Sequence, residues 1–199
     1  HFEITTLRRD VETDGRRAKV AFTGDWQADA SRRDFTINAM SATQGGALYD
    51  PFEGQKDLAA GRIRFIGAAR DRIREDVLRL LRFYRFYAHY GRGEMDAEAV
   101  AAVRELAPLL PSLSGERVAA EFLRLLAAAD PAPVFERMSA HGVLAQILPE
   151  ATALARLGEL VAIEVARGEA VPLRRLASVL AVKATGAEAV GRRLRLSNL

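Results

Sequence analysis

The sequence predicts an α+β protein in which a strand-rich first third is followed by an all-helical arm. The first observation is a period of two at the start of the chain, where residues 2–7 alternate as a strand requires. The second is a change of period after about residue 68, where apolar residues recur every three or four positions, as on one buried helical face. That face comprises Ile73, Val77, Leu80, Leu81 and Tyr84.

The strand-rich part is divided by turn signals and a proline. Asp14-Gly15 is a turn signal inside the polar segment 10–17, which we expect to form a loop. Pro51 ends the last of the shorter strands. The predicted strands are residues 2–7, 18–22, 35–41, 48–49 and 62–66.

The arm is divided into helices by its prolines and glycines. Ser114 is the predicted N-cap of one of them. Beyond Pro149 the sequence is rich in Ala, Leu and Arg, which indicates helix but no particular chemistry. Between the helix with the apolar face and Pro149, helices are predicted at about residues 96–106, 116–128 and 134–141.

Composition excludes several classes of function. The 199 residues include no cysteine, which excludes a disulfide framework, a cysteine nucleophile and a cysteine zinc site. The three histidines lack metal-ligand spacing. No apolar run approaches the ~18 residues of a membrane span, so we expect a soluble cytoplasmic protein with no membrane partner. Nine arginines between Arg62 and Arg92 suit a phosphate-rich partner better than the net charge of +3 does.

Two segments are candidates for binding chemistry. In residues 31–40, Arg32 and Arg33 precede Asp34 and Asn38; arginine forks suit phosphate, and the asparagine could bind a ribose hydroxyl. The alternative is a surface Arg-Arg turn with a structural asparagine. In residues 72–86, one acid and three arginines recur every third position and are expected to form a ridge on one helix. The ridge comprises Asp76, Arg79, Arg82 and Arg85.

The ridge also has two interpretations. Intrahelical ion pairs are the alternative to a ligand site, but three arginines for one aspartate exceed what such pairs require. A third segment, residues 48–58, contains Asp50-Pro51 and Gly54 and by itself is typical of an ordinary strand-to-helix connection.

Together these segments resemble the class II tRNA nucleotidyltransferase and bacterial poly(A) polymerase family. Residues 32–39, Arg-Arg-Asp-Phe-Thr-Ile-Asn-Ala, match its second motif without change. Residues 50–58 resemble its third motif, and residues 75–82 its fourth. The opening Thr5-Thr6-Leu7-Arg8 and Asp25-Trp26 resemble the CCA-adding members in particular. One departure is Glu53, which replaces the first of two glycines usual in the third motif.

The resemblance implies a role for each matching residue. Arg33 would contact the incoming nucleotide, with Asp34 and Asn38 beside it. Asp76 and Arg79 would pair with the base of CTP or ATP in place of a nucleic-acid template. Glu75 would orient Arg79, and Arg82 and Arg85 would hold the nucleotide. Glu3 would be an accessory carboxylate near Mg²⁺ ions.

The resemblance also implies an organisation and a reaction. The expected parts are a partial nucleotidyltransferase head sheet (1–66), a nucleotide-selecting helical neck (67–130) and a partial helical body (131–199). The family's Asp-x-Asp pair, which binds the catalytic metals, is expected upstream of His1, so no catalytic residue is assigned here and the chain is interpreted as an internal piece, inactive alone. The parent enzyme would add CCA to tRNA from CTP and ATP. Poly(A) addition, a non-catalytic RNA-binding helical module and a helical scaffold whose arginines serve solubility are the alternatives.

Overall fold

A computed structural model describes residues 6–13 and 18–196, with side chains described at 6–8 and 21–196. Its architecture is α+β, as the sequence predicts. Two small antiparallel hairpins lie in the first 49 residues, and helices make up most of the rest. The strands are β1 (Arg8–Thr13), β2 (Ala18–Phe22), β3 (Ser41–Ala42) and β4 (Leu48–Tyr49).

Helices follow residue 68 as predicted, and two further short helices lie within the part that was predicted to be strand-rich. In the described residues the helices are α1 (Trp26–Ser31), α2 (Gly54–Ala60), α3 (Ala69–Glu75), α4 (Leu78–Tyr90), α5 (Ala97–Leu106), α6 (Gly115–Leu126), α7 (Ala132–Ala140), α8 (Val143–Ile147), α9 (Ala155–Arg167), α10 (Pro172–Val179) and α11 (Ala184–Arg193). The helices predicted at 96–106, 116–128 and 134–141 are confirmed as α5, α6 and α7 with small shifts in their ends. Ser114 is at the N-cap of α6, but its side chain makes no capping hydrogen bond.

Two strand predictions need correction. The predicted strand at 35–41 is instead a short 3-10 helix, Thr36–Asn38, because Asp34 accepts a hydrogen bond from the Asn38 side chain at 3.0 Å and closes a local turn. The segment 62–66 contributes one isolated bridge, between Phe35 and Phe65, and is no strand.

The first hairpin also differs from the prediction. β1 runs to Thr13 and includes the polar residues expected to form a loop, since backbone pairing with β2 is open to polar residues too. Of the strand predicted at 2–7, residues 2–5 lie outside the described part, and Thr6 and Leu7 are not in a strand. The turn signal Asp14-Gly15 also lies outside the described residues.

The helix predicted to run through the ridge is two helices. α3 ends at Glu75, and Asp76 adopts extended backbone angles (φ −151°, ψ 108°) before α4 starts at Leu78. The Asp76 carboxylate accepts the Leu78 backbone N–H at 3.1 Å. Such a local side-chain bond offers the backbone an alternative to continuing the helix.

One hydrophobic cluster joins the hairpin region to the helices. Phe35 packs against Phe65 in a tilted arrangement with ring centroids 4.7 Å apart, and Phe65 stacks on Phe83 of α4 at 5.9 Å. The same cluster continues through α5 to α11 as far as Leu194. Aromatic pairs add to the burial energy, so the loop after α1 is held firmly against α4. No helix in the described residues is long and apolar enough to cross a membrane.

Candidate functional site

The loop that follows α1 carries the first predicted segment, and a buried aspartate organises it. Asp29 accepts hydrogen bonds from Arg32 at 2.8 and 3.0 Å and from Arg33 at 3.0 and 3.3 Å. Burial raises the pKa of Asp29, but the Arg8 backbone N–H and the two arginines outweigh it, so the pKa is lowered. The two adjacent guanidinium groups are therefore held side by side by one carboxylate.

Asp34 connects this loop to α4. It is buried, accepts the Asn38 side-chain N–H and forms an ion pair with Arg82 Nε. Burial raises the pKa of the Asp34 carboxyl, but the hydrogen bond and charge of Arg82, with help from Asn38, leave it below its usual value. Asp34 is therefore charged near neutral pH, and its contacts fix the positions of the Asn38 and Arg82 side chains.

The third-motif segment supports the same loop from behind. Asp57 of α2 is buried and accepts the Thr36 hydroxyl at 2.6 Å and Arg64 Nε at 3.0 Å. Asp50 caps α2 by accepting the Gly54 backbone N–H at 2.7 Å. Because Thr36 lies between Asp34 and Asn38 in the sequence, its buried hydrogen bond to Asp57 holds α2 against this loop.

Arginines from α3 and α4 hold the loop backbone. Arg72 donates to the Ser31 and Arg33 carbonyls at 2.8 and 2.6 Å, and Arg79 donates to the Arg32 carbonyl at 3.1 Å. These carbonyls follow the C-terminus of α1, where positive charge is favourable. Glu75 accepts from both Arg72 and Arg79.

Arg79 is only partly engaged by these contacts. Its Nη1 donates to Glu75 and to the Arg72 carbonyl, and its Nη2 donates to the Arg32 carbonyl. An arginine has five N–H donors, so two are left over from its contacts with described residues. Glu75 accepts one of these hydrogen bonds, which is the contact that the role implied by the resemblance requires.

Asp76 and Arg85 each have an ion-pair partner on α6. Arg117 Nη2 donates to both carboxylate oxygens of Asp76, at 2.9 and 2.8 Å. Arg85 donates to the buried Glu121 at 2.6 Å and lies over the Phe86 ring, 4.5 Å from its centroid. The predicted ridge is therefore divided: Asp76 stands in the break between two helices, and Arg85 faces α6.

A cleft of about 300 Å³ brings most of the predicted residues together. Six of the eight predicted nucleotide-binding residues line it, and Glu75 and Arg85 are outside its lining. Its described lining has four arginines and two aspartates, so it offers many hydrogen-bond donors and a few fixed acceptors. Such a set can bind a polyanion and read one polar edge of a base. The lining comprises Arg32, Arg33, Asp34, Asn38, Asp76, Leu78, Arg79 and Arg82.

A second cleft, of about 470 Å³, lies beside the exposed rings of Trp26 and Tyr49. It contains none of the predicted residues, and it has no arginine in its lining. The cleft beside Trp26 is the larger of the two, but its described lining lacks charged groups that would bind phosphate. The arginine-lined cleft is therefore the candidate site, because its donors and acceptors match those of a nucleotide.

The described residues do not supply a metal site. Among residues 6–13 and 18–196 no group of three or more His, Cys, Asp or Glu side chains could hold a metal ion. Glu3, the predicted accessory metal ligand, lies outside the described part of the chain. Asp34 and Asp76 are engaged with arginines, so the cleft residues do not fit a magnesium ion.

Three residues of the site were not predicted from the sequence. Asp29, Arg117 and Glu121 each pair with a predicted arginine or aspartate. Asp29 lies three and four residues before Arg32 and Arg33, the helical spacing of ion pairs, so it carries a readable signal. Arg117 and Glu121 meet their partners across 41 and 36 positions, and no local pattern indicates such contacts.

Two family models and several curated proteins match the sequence of this chain. Residues 1–64 match the family described as "Poly A polymerase head domain", and residues 94–154 match "Probable RNA and SrmB- binding site of polymerase A". The chain is 50% identical over 131 residues to the human "CCA tRNA nucleotidyltransferase 1, mitochondrial". The aligned residues make up 63% of this chain and 30% of the human protein. The chain is also 40% identical over 129 residues to the "CCA-adding enzyme" of Streptococcus sanguinis, covering 64% and 32%.

Solved structures extend the similarity over almost the whole chain. The CCA-adding enzyme of Bacillus stearothermophilus in complex with CTP is similar at a TM-score of 0.64 and 25% identity, covering 98% of this chain and 51% of that one. The Thermotoga maritima CCA-adding enzyme complexed with tRNA has the same fold, at a TM-score of 0.67, 24% identity and 84% and 44% coverage. The chain spans about a third of the length of the curated relatives it matches.

Proposed function

Since the chain belongs to the tRNA nucleotidyltransferase and poly(A) polymerase family, we propose that it carries the nucleotide-selecting part of a CCA-adding enzyme. The proposed reaction is attack of the tRNA 3′-hydroxyl on the α-phosphate of CTP or ATP, with release of pyrophosphate. The observation that supports it is the arginine-lined cleft, in which residues of the second motif (32–39) and the fourth motif (75–82) line one space of about 300 Å³.

In this proposal different cleft residues bind different parts of the nucleotide. Arg33 and Arg82, which are charged donors in the cleft lining, hold the phosphates and ribose. Asp76 and Arg79 offer an acceptor and the two remaining arginine donors to the edge of the base. Glu75 keeps Arg79 in place, and Asn38 keeps Asp34 in place. Arg85 acts from outside the cleft lining, as support for α4 against α6.

The metal chemistry belongs to the proposal for the whole protein. Magnesium, when bound in the whole protein, would supply charge stabilisation at the phosphate, and no described residue of this chain is assigned to hold it. The cleft residues contribute positioning, which together with electrostatic stabilisation accounts for most of the catalysis of a phosphoryl-type transfer. We propose the division into head (1–66), neck (67–130) and body (131–199) on the same family grounds, with one continuous core across the three.

The proposed location is the cytoplasm. No described helix is long and apolar enough to span a membrane. The names of the vertebrate relatives contain "mitochondrial", which for those proteins points to an organelle instead. Microscopy of the tagged protein in its own cells tests the proposal, and enrichment in an organelle would contradict it.

Nucleotide selectivity is the direct test of the proposed function. Calorimetric titration of the chain with CTP, ATP, UTP and GTP should give weak binding of the first two and at least about tenfold weaker binding of the others, a difference of ~1.4 kcal/mol. Equal binding of all four would mean that the cleft recognises only phosphate and would contradict base selection.

Poly(A) addition is the second candidate, favoured by the description of the matching head-domain family. The intact protein should extend a tRNA lacking CCA by three nucleotides and stop when CTP and ATP are both supplied. Long adenylate tails in the same assay would establish the second candidate instead. The 199 residues alone are expected to incorporate neither nucleotide.

A further inference from the structure

Arg72 of α3 is a largely buried arginine that lies outside the described lining of the cleft. Its side chain is 13% exposed. Burial, together with the charge of Arg79, lowers the pKa of the Arg72 guanidinium, and its Nε has no hydrogen-bond partner among the described residues. A charged group in such surroundings destabilises the folded chain unless its other donors make good contacts. The contacts of its two terminal nitrogens therefore indicate what this residue does.

One of these nitrogens holds the backbone of the loop after α1. Arg72 Nη2 lies 2.8 Å from the Ser31 carbonyl oxygen and 2.6 Å from that of Arg33, and it donates to both. Carbonyls at the end of a helix lack partners within that helix and favour a cation. Because a guanidinium is planar and presents its donors at fixed angles, this contact fixes the backbone of Arg33 relative to α3.

The other nitrogen contacts Glu75. Arg72 Nη1 lies 3.0 Å from Glu75 Oε1 and 2.8 Å from Oε2, and Arg79 donates to the same carboxylate. Without the Arg72 side chain, Arg79 would keep its hydrogen bonds to Glu75 and to two backbone carbonyls. The carbonyls of Ser31 and Arg33 would lose the donor that Arg72 supplies. Loss of Arg72 should therefore displace the loop and leave Arg79 in place.

Arg33 is the cleft residue that this contact holds directly. Asp29 accepts hydrogen bonds from its guanidinium at 3.0 and 3.3 Å, and Arg72 holds its backbone carbonyl. Its side chain is 37% exposed, so it stays open to a ligand. A charged donor that is fixed at both ends before the ligand arrives loses little conformational entropy on binding.

We infer that Arg72 is a positioning residue that sets the affinity of the cleft for the phosphates of a nucleotide, through Arg33, and has no part in selecting the base. The inference rests on the proposed function and deepens it. It assigns the two parts of nucleotide recognition to separate supports, because Arg72 holds the loop that carries Arg33 whereas Glu75 holds Arg79.

Two affinity ratios separate phosphate binding from base selection. The ratio of CTP to cytidine affinity reports the contribution of the phosphates, and the ratio of CTP to UTP affinity reports that of the base. Both are measured by NMR titration, which reaches the weak affinity of a nucleoside, for the unsubstituted chain and for Arg72→Met. We expect Arg72→Met to lower the CTP-to-cytidine ratio about five- to tenfold, as loss of a hydrogen bond to a charged group does. The CTP-to-UTP ratio should change by less than about twofold.

A double-mutant cycle tests whether Arg72 acts through Arg33. In the Arg33→Ala background, Arg72→Met should change the CTP-to-cytidine ratio by less than about twofold, because the effects of residues that act as one unit do not add. Arg72→Lys keeps the charge but not the planar fork, so it should lower the ratio by a smaller factor than Arg72→Met does.

The controls separate positioning from folding. Arg70→Met is the matched control, because Arg70 is an exposed arginine of the same helix whose partner is Glu105. Both ratios should be unchanged in this variant. Thermal unfolding identifies any variant that fails to fold. If Arg72→Met is such a variant, Arg72→Lys carries the test, with the same expected direction in each ratio.

The outcomes distinguish the inference from the proposed function. Equal loss of CTP, UTP and cytidine affinity in Arg72→Met, or no loss, overturns the inference and leaves the proposed function standing. A CTP-to-UTP ratio that falls as far as the CTP-to-cytidine ratio means that Arg72 acts on the base and also overturns the inference. So does a full effect of Arg72→Met in the Arg33→Ala background. A CTP-to-UTP ratio near one in the unsubstituted chain overturns the proposed function and the inference with it.

Discussion

Asp34 and Arg82, 48 positions apart in the sequence, form an ion pair that fastens the loop after α1 to the side of α4. The pair joins the second and fourth motifs, and both partners line the candidate cleft. The side chain of Asp34 is 4% exposed and that of Arg82 26%. The same contact therefore contributes to stability and to the shape of the site.

The first prediction concerns the pH dependence of this pair. The pKa of Asp34 is lower in the folded chain than its unfolded value of about 3.9. Its contribution to stability is therefore complete above that value and is lost as the pH falls through the folded pKa. Asp34→Asn should lower the free energy of unfolding by roughly 2 kcal/mol at neutral pH, a discounted value for a partly exposed pair.

Urea denaturation at several pH values checks this prediction. Asp29 and Glu164 have pKa values shifted in the same direction, so the unsubstituted chain loses stability in acid for several reasons. The difference between it and Asp34→Asn isolates the one pair and should shrink below about pH 4. A difference that stays constant down to about pH 2 would contradict it.

Glu53 gives the second prediction. It is an exposed residue with left-handed backbone angles (φ 60°, ψ 33°) at the N-cap of α2, and its side chain makes no capping bond. The left-handed conformation costs a non-glycine residue about 1 kcal/mol of folding free energy. Glycine avoids this cost, but it also increases the conformational entropy of the unfolded chain, which offsets part of the stabilisation. Glu53→Gly should therefore stabilise the chain by about 0.5 kcal/mol in chemical denaturation.

Gly54 is the matched control for that substitution. A Cβ there would lie 2.4 Å from the Thr36 carbonyl oxygen. Gly54→Ala should destabilise the chain by about 2 kcal/mol or more, because the backbone at Thr36 or at residue 54 must move to make room for the added Cβ. Equal effects of the two substitutions would contradict the assignment of strain to Glu53.

The third prediction concerns a fully buried ion pair in the helical body. Arg175 of α10 donates to Glu164 of α9 and to the carbonyls of Leu126 and Ala128 at the end of α6. Arg175→Ala leaves the buried Glu164 carboxylate with Arg174 alone and removes the donor from the Leu126 and Ala128 carbonyls, so it should cost about 3 kcal/mol. The combined change Arg175→Met with Glu164→Leu should cost less than Arg175→Ala alone.

An exposed pair on α11 provides the comparison. Arg192 and Glu188 are 3.8 Å apart and both largely exposed, so Arg192→Ala should change stability by less than about 0.5 kcal/mol. Thermal or urea unfolding measures all three variants. A loss as small for Arg175→Ala as for Arg192→Ala would contradict the structural role of the buried pair.

The sequence predicts the helices well because their signals are local. The apolar residues of α4 recur at helical spacing, and Asp96 caps α5 through the Ala99 N–H at 2.9 Å. The gathering of Arg33, Asp34, Asn38, Asp76, Arg79 and Arg82 also follows from sequence, through the motif resemblance rather than through periodicity. Their individual roles stay predictions.

Features that depend on distant partners are not predictable in this way. The break at Asp76 interrupts an unbroken helical pattern, since neither glycine nor proline marks it. The segment 35–41 has the composition of a strand, but Asp57 binds Thr36 from 21 positions away and Asn38 bonds back to Asp34. Arg117 and Glu121 enter the site only because α6 packs against α4.

The most direct test of base selection at the α3–α4 break is calorimetric titration with CTP and ATP of the unsubstituted chain, Asp76→Ala and Arg79→Ala. Arg74→Ala, which removes an exposed arginine paired with Glu105, is the control. The account predicts that both site variants lose about tenfold or more in affinity, ~1.4 kcal/mol, while the control is unchanged. Equal binding by all four proteins would contradict it, because the residues at the break would then have no part in binding the nucleotide.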